Sequence, residues 1–421
     1  MSATRPIAQF TLSSSTPLLI GGFDSLACRE IEGVTICEGV RSQSVKGVWR
    51  WFTRAVVAGA LYSSGFALEK LEQRTIELVS NLLGYAGSVH SWSSKLRLEV
   101  YTDRDMECDS NTIQRLKIHQ RIALMQLGRR EYVLNKNMCR DIDSATVALY
   151  PRTGTYISAV EEAVAVSSLL LSFIIGCLGK GSRRGLGCFD IDIKLQHKDS
   201  LPPYIGRTGL TQQIIKREPL GPGTVANLIA FAWRNAAAYA NVKVSAKARE
   251  MLPPVPSIAP GAFRLFYAKL DNKSPLDMAI AFSKTVTRSR RAQMLGVDTK
   301  KDHLYVKRIA WVLGLPRSQP RTGTGYIIQD DEVQRRASPF MLSVHRGYAL
   351  LSVFYSTDWP KRLLWSNHDE KVIEIDNSAG EVIIDKERLG LRDAIDEALN
   401  VVLDAMNRQG YRFDEVNINW Q

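Results

Sequence analysis

A nine-residue segment rich in glycine and cations constrains this chain more than any other feature. It reads Gly179-Lys180-Gly181-Ser182-Arg183-Arg184-Gly185-Leu186-Gly187. Its four glycines permit backbone conformations with positive φ and let N–H groups approach a ligand closely. Its three cations favour phosphate as that ligand. The segment therefore predicts an anion-binding loop, here called the glycine loop (residues 179–187).

The residues on either side distinguish this loop from the common nucleotide-binding loops. In those folds the glycines follow a strand and open a helix, whose N-terminus faces the phosphate. Here residues 159–178 are apolar enough to predict a buried helix before the loop, and residues 188–195 alternate as a strand after it. Gly-Lys is also followed by Gly181 rather than by Ser or Thr. This order suits a polynucleotide backbone better than a dinucleotide.

The overall charge agrees with a polyanionic partner. The chain has 421 residues, with 55 Lys and Arg against 43 Asp and Glu, a formal net charge of +12. Such an excess favours RNA or DNA as a ligand, although a basic surface can also serve solubility alone. The length allows two domains, each with its own core.

Other classes of protein receive no support from the sequence. The six cysteines have neither Cys-x-x-Cys pairs nor a zinc spacing with the histidines, so we expect reduced thiols, no metal and no cofactor. Cys177 is expected inside the apolar helix as a small buried side chain. The longest apolar run, residues 163–178, is too short for a membrane span and the N-terminus lacks a signal peptide. A cytoplasmic protein without a membrane partner is expected.

The order of predicted elements indicates an α+β fold. The strands and helices of the first half are compatible with a ferredoxin-like split sheet that carries a basic insertion at about 103–150. The proline- and glycine-rich segment 197–209 is the predicted boundary, which gives domains at 1–200 and 201–421. Helices are predicted at 44–61, 68–83, 159–178, 224–240, 274–296 and 389–406, and strands at 7–12, 95–101, 188–195, 262–269, 341–344, 350–355 and 411–418.

A basic helix face is the second candidate for RNA binding. Residues 41–54 contain Arg41, Lys46, Arg50 and Arg54 and no acidic residue. On a helix the last three cations follow an i, i+4, i+8 spacing and share one face, beside an apolar stripe that includes Trp49. We interpret this face as a series of phosphate contacts, with a solvated basic face as the alternative. Core packing is expected for Trp49.

Two further basic segments are candidates. Residues 115–140 hold seven cations against a single acid, Glu131, and form either a nucleic-acid clamp or a solvated charge run. His119 lies in this segment and could act as a general base. Arg335 and Arg336 precede a predicted strand and could bring two guanidiniums to a phosphate or to an acidic neighbour.

Four segments in order resemble the motifs of the RAMP superfamily. They are residues 16–24 (Thr-Pro-Leu-Leu-Ile-Gly-Gly-Phe-Asp), residues 44–54, the glycine loop from Gly181 to Gly187, and residues 335–339 (Arg-Arg-Ala-Ser-Pro). Within the superfamily they look most like the first-numbered RAMP subunit of type III-B CRISPR (Cmr) effector complexes. Residues 103–150 and 200–300 carry no part of this resemblance.

The resemblance implies two ferredoxin-like, RRM-related domains with helical and loop insertions. It also implies a non-catalytic subunit at the crRNA 3′ end, beside other Cmr/RAMP subunits, which helps bind target RNA in antiviral defence. Lys46, Arg50 and Arg54 would then contact backbone phosphates, and the glycine loop would lie against RNA. No aromatic RNP-like strand is evident, which favours binding that does not depend on base sequence.

Two other functions are compatible with the same residues. A metal-independent ribonuclease of this superfamily, acting on crRNA or target RNA, would need an acid–base pair beside the scissile phosphate. Asp24 and His119 are the candidates for that pair, although Asp24 suits a Gly-Gly-Phe-Asp turn equally well. The third candidate is a free-standing RNA-binding protein, which the proline-rich loops and apolar patches disfavour because they suggest docking surfaces.

Overall fold

The structure is a computed structural model of the chain. It describes residues 5–19, 28–32, 34–37, 39–86, 91–119, 139–193, 200–315, 325–330, 333, 335–366 and 371–421. The described strands are β1 (Ala8–Ser14), β2 (Leu18–Leu19), β3 (Cys28–Ile31), β4 (Val34–Cys37), β5 (Tyr85–Ala86), β6 (Ser91–Trp92), β7 (Leu96–Glu107), β8 (Cys139–Pro151), β9 (Phe189–Asp192), β10 (Phe263–Lys269), β11 (Gly325–Ile328), β12 (Phe340–His345), β13 (Tyr348–Phe354), β14 (Arg362–Ser366), β15 (Lys371–Asp376), β16 (Glu381–Ile384), β17 (Glu387–Gly390) and β18 (Asp414–Glu415). The described α-helices are α1 (Ser42–Ser63), α2 (Leu68–Leu83), α3 (Ser110–Leu116), α4 (Ala159–Ile174), α5 (Pro203–Gly206), α6 (Leu210–Ile215), α7 (Pro222–Ala240), α8 (Pro275–Thr285), α9 (Arg288–Leu295), α10 (His303–Val306) and α11 (Leu391–Asn407).

The N-terminal part of the chain forms an antiparallel sheet in the order β9-β1-β8-β7, covered by helices. In sequence the elements run strand, helix, strand, strand, helix, strand, which is the ferredoxin-like arrangement. Strand β1 alternates as the pleat requires, and Phe10 and Leu12 are fully buried toward the helices. The short strand β2 pairs with the beginning of β8.

Helix α4 explains the long apolar run in the sequence. Helices α1 and α7 both pack against it, so residues from Ala163 to Ile174 are buried on all sides. Its N-terminus is closed by a capping box, in which Ser158 accepts from the N–H of Glu161 and the Glu161 carboxylate accepts from the N–H of Ser158. The helix ends at Ile174, four residues before the predicted end.

The C-terminal part repeats the same topology. Its sheet has the order β18-β10-β13-β12, all antiparallel, and helices α8 and α11 belong to the same core. The predicted α+β class with two ferredoxin-like domains is confirmed. A separate five-stranded antiparallel sheet, β11-β14-β15-β16-β17, is inserted around the β12–β13 hairpin. Nothing in the sequence analysis anticipated this inserted sheet.

Several predicted elements differ from the structure. The predicted helix at 274–296 is two helices, α8 and α9, separated at Val286 and Thr287. The predicted last strand at 411–418 is confined to the two residues of β18. Helix α7 packs against α1 and α4, on the N-terminal side of the predicted boundary, which itself remains a prediction. Among the described helices, none has both the length and the apolar character needed to cross a membrane.

The expectation of reduced thiols is wrong for four of the six cysteines. Cys108 is bonded to Cys139, and Cys177 to Cys188. The first pair joins the adjacent ends of β7 and β8, and the second joins the two ends of the glycine loop. Cys177 lies beyond the end of α4 rather than inside it. Separations of 31 and 11 residues give no sign of pairing, because pairing depends on which ends the sheet brings together.

Candidate nucleic-acid interface

The glycine loop needs its glycines, because all four have φ between +67° and +81°. A Cβ atom on Gly187 would lie 2.0 Å from the carbonyl oxygen of Leu178, and one on Gly179 would lie 2.5 Å from that of Leu19. Leu178 N–H donates to the carbonyl of Gly187 at 2.8 Å, and Gly187 N–H donates to that of Pro17 at 2.9 Å. The loop is therefore a rigid, backbone-bonded turn.

This loop also joins the two ferredoxin-like domains. Strand β12 is at the edge of the C-terminal sheet, and its Leu342 N–H donates to the carbonyl of Arg183 at 3.1 Å. Arg184 and Leu342 form a parallel bridge at the same point. A Cβ atom on Gly185 would lie 2.9 Å from a methyl group of Leu342, so only glycine fits there. The loop thus covers a sheet edge that would otherwise expose backbone groups.

Arg183 connects three of the sequence motifs. Its guanidinium donates to the carbonyl of Ser338 at 2.9 Å, and its Cζ lies 5.3 Å from the centre of the Trp51 ring. Ser338 follows the Arg335–Arg336 pair, and Trp51 lies on α1. Burial lowers the pKa of Arg183 to about 10, and the positive charge of Arg336 contributes to this lowering. The structure therefore brings α1, the glycine loop and residues 335–338 together.

The two arginines at 335 and 336 occupy different environments. Arg335 is exposed, whereas Arg336 is 6% exposed. The Arg336 guanidinium donates to the carboxylate of Asp358 at 2.8 Å and to the hydroxyl of Ser356 at 3.1 Å, and it lies over the ring of Trp359. Arg336 thus meets the acidic neighbour that was the alternative to a phosphate.

The other predicted residues of the loop differ in exposure. Lys180 and Ser182 are partly exposed, and burial lowers the pKa of the Lys180 ammonium. Arg184 is partly buried, and its carbonyl oxygen lies 3.4 Å from Nε2 of His119. Gly181 allows the turn that Arg184 N–H closes by donating to the Gly181 carbonyl at 2.8 Å. Lys180 and Ser182 are thus the side chains of this group most accessible to a ligand.

The predicted basic face of α1 is present. Lys46 and Arg50 are partly exposed and Arg54 is exposed, while Val45, Trp49 and Phe52 are buried on the opposite side. Trp49 has the predicted core position, since its indole N–H donates to the carbonyl of Ala165 at 2.9 Å.

The cations of this face crowd one another. Burial lowers the pKa of Lys46, and the charges of Arg50 and Arg152 lower it further. Burial, followed by the charge of Arg54, lowers the pKa of Arg50. A phosphate placed here would relieve the mutual repulsion. Arg152 is exposed in the turn after β8, and its position 98 residues beyond Arg54 explains why the sequence pattern did not include it.

Two cations of this region have additional or peripheral positions. Arg50 donates to the carbonyl oxygens of Leu83 and Gly84, both at 2.7 Å, so it also fastens α1 to the end of α2. Arg41 is the residue before the first turn of α1 and is partly exposed. We therefore define the basic face as Lys46, Arg50, Arg54 and Arg152.

The candidates for acid–base chemistry do not form a pair in the described structure. Asp24 lies outside the described residues, as do Arg121, Arg129, Arg130 and Lys136 of the basic insertion. His119 is fully buried against the glycine loop. The described residues contain no group of three or more His, Cys, Asp or Glu side chains that could hold a metal ion.

A cleft elsewhere on the molecule has the wrong charge for phosphate. It lies between β9, residues 217–220 and the β12–β13 turn. Its walls carry four carboxylates but only two arginines, Arg217 and Arg346, and one of these already lies 3.5 Å from Asp190. The basic face and the glycine loop are therefore the better candidates for RNA contact.

The geometry defines a protein of two ferredoxin-like domains joined through a basic glycine loop. Residues 11–190 match the sequence profile of the RAMP superfamily, a range that includes β1, the basic face and the glycine loop. The predicted membership of the RAMP superfamily is confirmed, and this part of the chain belongs to that superfamily. No curated protein matches the chain significantly.

Solved structures share the fold. A chain of the type III-B Cmr-beta complex bound to cognate target RNA is 13% identical, with a TM-score of 0.56 over 94% of this chain and 100% of that chain. A second Cmr-beta structure, with target RNA, AMPPnP and single-stranded DNA, gives 13% identity and a TM-score of 0.54 over 83% and 96% of the two chains. Cmr1 from Pyrococcus furiosus is 17% identical, with a TM-score of 0.49 over 83% of this chain and 87% of Cmr1.

Proposed function

We propose that this chain is a non-catalytic, RNA-binding subunit of a type III-B CRISPR (Cmr) effector complex. Its partners are crRNA, target RNA and the other Cmr/RAMP subunits, and its place is that of the first-numbered RAMP subunit, at the crRNA 3′ end. The fold shared with chains of the Cmr-beta complex over nearly the whole sequence supports this assignment. The superfamily profile over residues 11–190 supports it independently.

The basic face of α1 is the observation that carries RNA binding. Its cations lower one another's pKa, lack an acidic neighbour within the helix, and continue toward the glycine loop through Trp51 and Arg183. Phosphate contacts of this kind fix the position of a strand without reading its bases. A guide-carrying complex needs this property, because specificity comes from pairing between guide and target.

Burial of His119 supports the non-catalytic part of the proposal. A general base must come within about 3 Å of the proton that it abstracts. The His119 ring is enclosed, and its Nε2 faces the carbonyl of Arg184 rather than an open surface. A strand on the basic face would not reach it.

The test is a double variant, Lys46→Ala with Arg54→Ala, in the full-length chain. We expect binding of single-stranded RNA to weaken at least about tenfold, because two charged contacts are lost. The slope of log affinity against log salt should fall by about 1.4, or about 0.7 for each phosphate contact. Arg50 is left intact because it also holds the end of α2. Fluorescence anisotropy at several salt concentrations measures both quantities.

The matched control removes two charges elsewhere. Arg388 and Arg412 are 71% and 82% exposed and lie on β17 and before β18. Arg388→Ala with Arg412→Ala should leave affinity and slope nearly unchanged. Equal losses in the two double variants would mean that only net charge matters, which contradicts a defined RNA site.

Cleavage and assembly are scored on the same samples. RNA incubated with the chain, with and without EDTA, should remain intact on a denaturing gel. Discrete cuts that disappear in Asp24→Ala or His119→Ala would replace this proposal with the ribonuclease. Co-expression with the other Cmr subunits should yield one complex that contains this chain, and a chain that purifies alone would contradict the subunit role.

A further inference from the structure

An exposed aromatic pair lies beside the basic face. Tyr85 and Trp92 are directly opposite each other in the short β5–β6 pairing, with ring centroids 5.8 Å apart. Tyr85 is 36% exposed and Trp92 is 44% exposed. Large aromatic side chains are usually buried, so two of them together at the surface indicate a site for contact with another molecule.

The pair is held in place by the same residue that anchors the basic face. Arg50 donates to the carbonyl of Gly84, the residue immediately before Tyr85. Gly84 has φ +76°, and a Cβ atom there would lie 2.8 Å from the carbonyl oxygen of Trp92. Arg50, Tyr85 and Trp92 are therefore fixed in position relative to one another.

The cations on either side of Arg50 extend this arrangement into a line. Lys46 is one helical turn before Arg50 and Arg54 is one turn after it, so the three cations span about 12 Å along α1. The aromatic pair lies beside the middle of this line, because it is connected to Arg50. A ligand that lies on the basic face therefore passes next to Tyr85 and Trp92.

This combination of groups matches one class of ligand. Proteins that bind single-stranded nucleic acid pair a positive track for phosphates with aromatic rings on which bases stack. A strand of unpaired RNA supplies both an anion for Lys46 and Arg54 and a flat ring for Trp92. A docked protein would have to cover Lys46, Arg50, Arg54 and Arg152 with acidic groups as well as bury the aromatic rings, so the charge favours RNA.

We infer that Tyr85 and Trp92 form a stacking site for an unpaired base of an RNA strand whose phosphates lie along the basic face. This inference rests on the proposed RNA-binding function and adds to it a contact with base rings. Stacking accepts every base, since each has a π-face, so the site remains independent of sequence. It also supplies aromatic contacts at the helical side of the fold, away from the strand positions where the sequence analysis looked for them.

The experiment compares Trp92→Ala, Trp92→Phe and Tyr85→Ala in the full-length chain. The probe is a labelled 20-nucleotide oligouridylate, and affinity is measured by anisotropy at two salt concentrations. Trp92→Ala should weaken binding about tenfold. The salt slope should not change, because no phosphate contact is lost. Trp92→Phe should recover most of the affinity, and circular dichroism melting shows whether each variant is folded.

A strand without bases provides the second arm. An abasic ribose-phosphate strand of the same length should bind wild type and Trp92→Ala equally well. If Trp92→Ala and Tyr85→Ala both bind oligouridylate as wild type does, the stacking site is overturned. Loss of co-purification with other Cmr subunits at unchanged RNA affinity also overturns it and makes the pair a protein contact.

The outcomes separate this inference from the proposed function. If Lys46→Ala with Arg54→Ala reduces affinity and slope while Trp92→Ala has no effect, RNA binding stands and stacking fails. If wild type binds no RNA, both fail together. If Trp92→Ala lowers affinity for oligouridylate but not for the abasic strand, both stand.

Discussion

Neighbouring residues of identical type have different roles in this chain. Arg335 is exposed, whereas Arg336 is buried between Asp358, Ser356 and the ring of Trp359. Arg183 similarly divides its charge between Trp51 and the carbonyl of Ser338. A guanidinium has five donors and a flat face, so it can bind phosphate or fasten two segments equally well. The sequence pattern alone predicts phosphate contacts for all three.

Replacing each member of the arginine pair separates these roles. Arg336→Ala should lower the free energy of unfolding by about 3 kcal/mol, because charged hydrogen bonds are lost and Asp358 loses its partner. Arg335→Ala should change it by less than about 0.5 kcal/mol. Urea denaturation followed by tryptophan fluorescence measures both changes. Equal effects of the two substitutions would contradict the assignment of Arg336 to the structural role.

At the scale of elements, the glycine loop combines a tight backbone turn with cover for the edge of β12. Its ends are joined by Cys177 and Cys188, and its Arg183 carbonyl accepts from Leu342. Four glycines between cations led the sequence analysis to an anion-binding loop. Much of the requirement for glycine is explained instead by close approach to protein backbone, as at Gly187 and Gly179. RNA contact by the loop's side chains remains a prediction.

Gly187→Ala tests this requirement against a matched glycine. Gly154 has φ +78° and no atom within 4 Å of an added Cβ, so Gly154→Ala measures the cost of a positive φ alone. We expect about 1 kcal/mol for Gly154→Ala. We expect about 3 kcal/mol for Gly187→Ala, which adds the collision with the Leu178 carbonyl. Thermal or urea unfolding compares them, and similar costs would contradict a loop closed by backbone contact.

At the scale of the whole molecule, the two ferredoxin-like domains share their interior. The N-terminal core includes Phe263, Leu265 and Phe354, which belong to the C-terminal sheet. The hydroxyl of Ser343 donates to the carbonyl of Ile174 at 2.8 Å, and Nε2 of His345 lies 2.8 Å from the same oxygen. These contacts join the end of α4 to β12, so neither sheet has a complete core alone.

We therefore expect the two domains to unfold together. Differential scanning calorimetry should give one transition, with a calorimetric enthalpy equal to the van't Hoff enthalpy. Ser343→Ala should shift that transition to lower temperature without dividing it. Two separate transitions in the wild-type chain would show that the shared core contributes little, contrary to this prediction.

Much of the local structure follows from the sequence because it depends on near neighbours. The spacing of apolar residues locates α1, α2, α4 and α7 to within a few residues, and the β12–β13 hairpin follows from two apolar runs around Gly347. The core position of Trp49 and the surface position of Lys46, Arg50 and Arg54 follow from the same 3.6-residue period. These features need no knowledge of distant contacts.

The tertiary structure decided everything that depends on residues distant in the chain. It paired Cys108 with Cys139, placed Arg152 beside Lys46, and brought Ser338 to Arg183 across 155 positions. It also formed the inserted five-stranded sheet. The sequence by itself determined two α+β halves, a basic helix and a glycine turn. How these parts share one core depended on sheet order, because pairing between strands is set by non-local packing rather than by local periodicity.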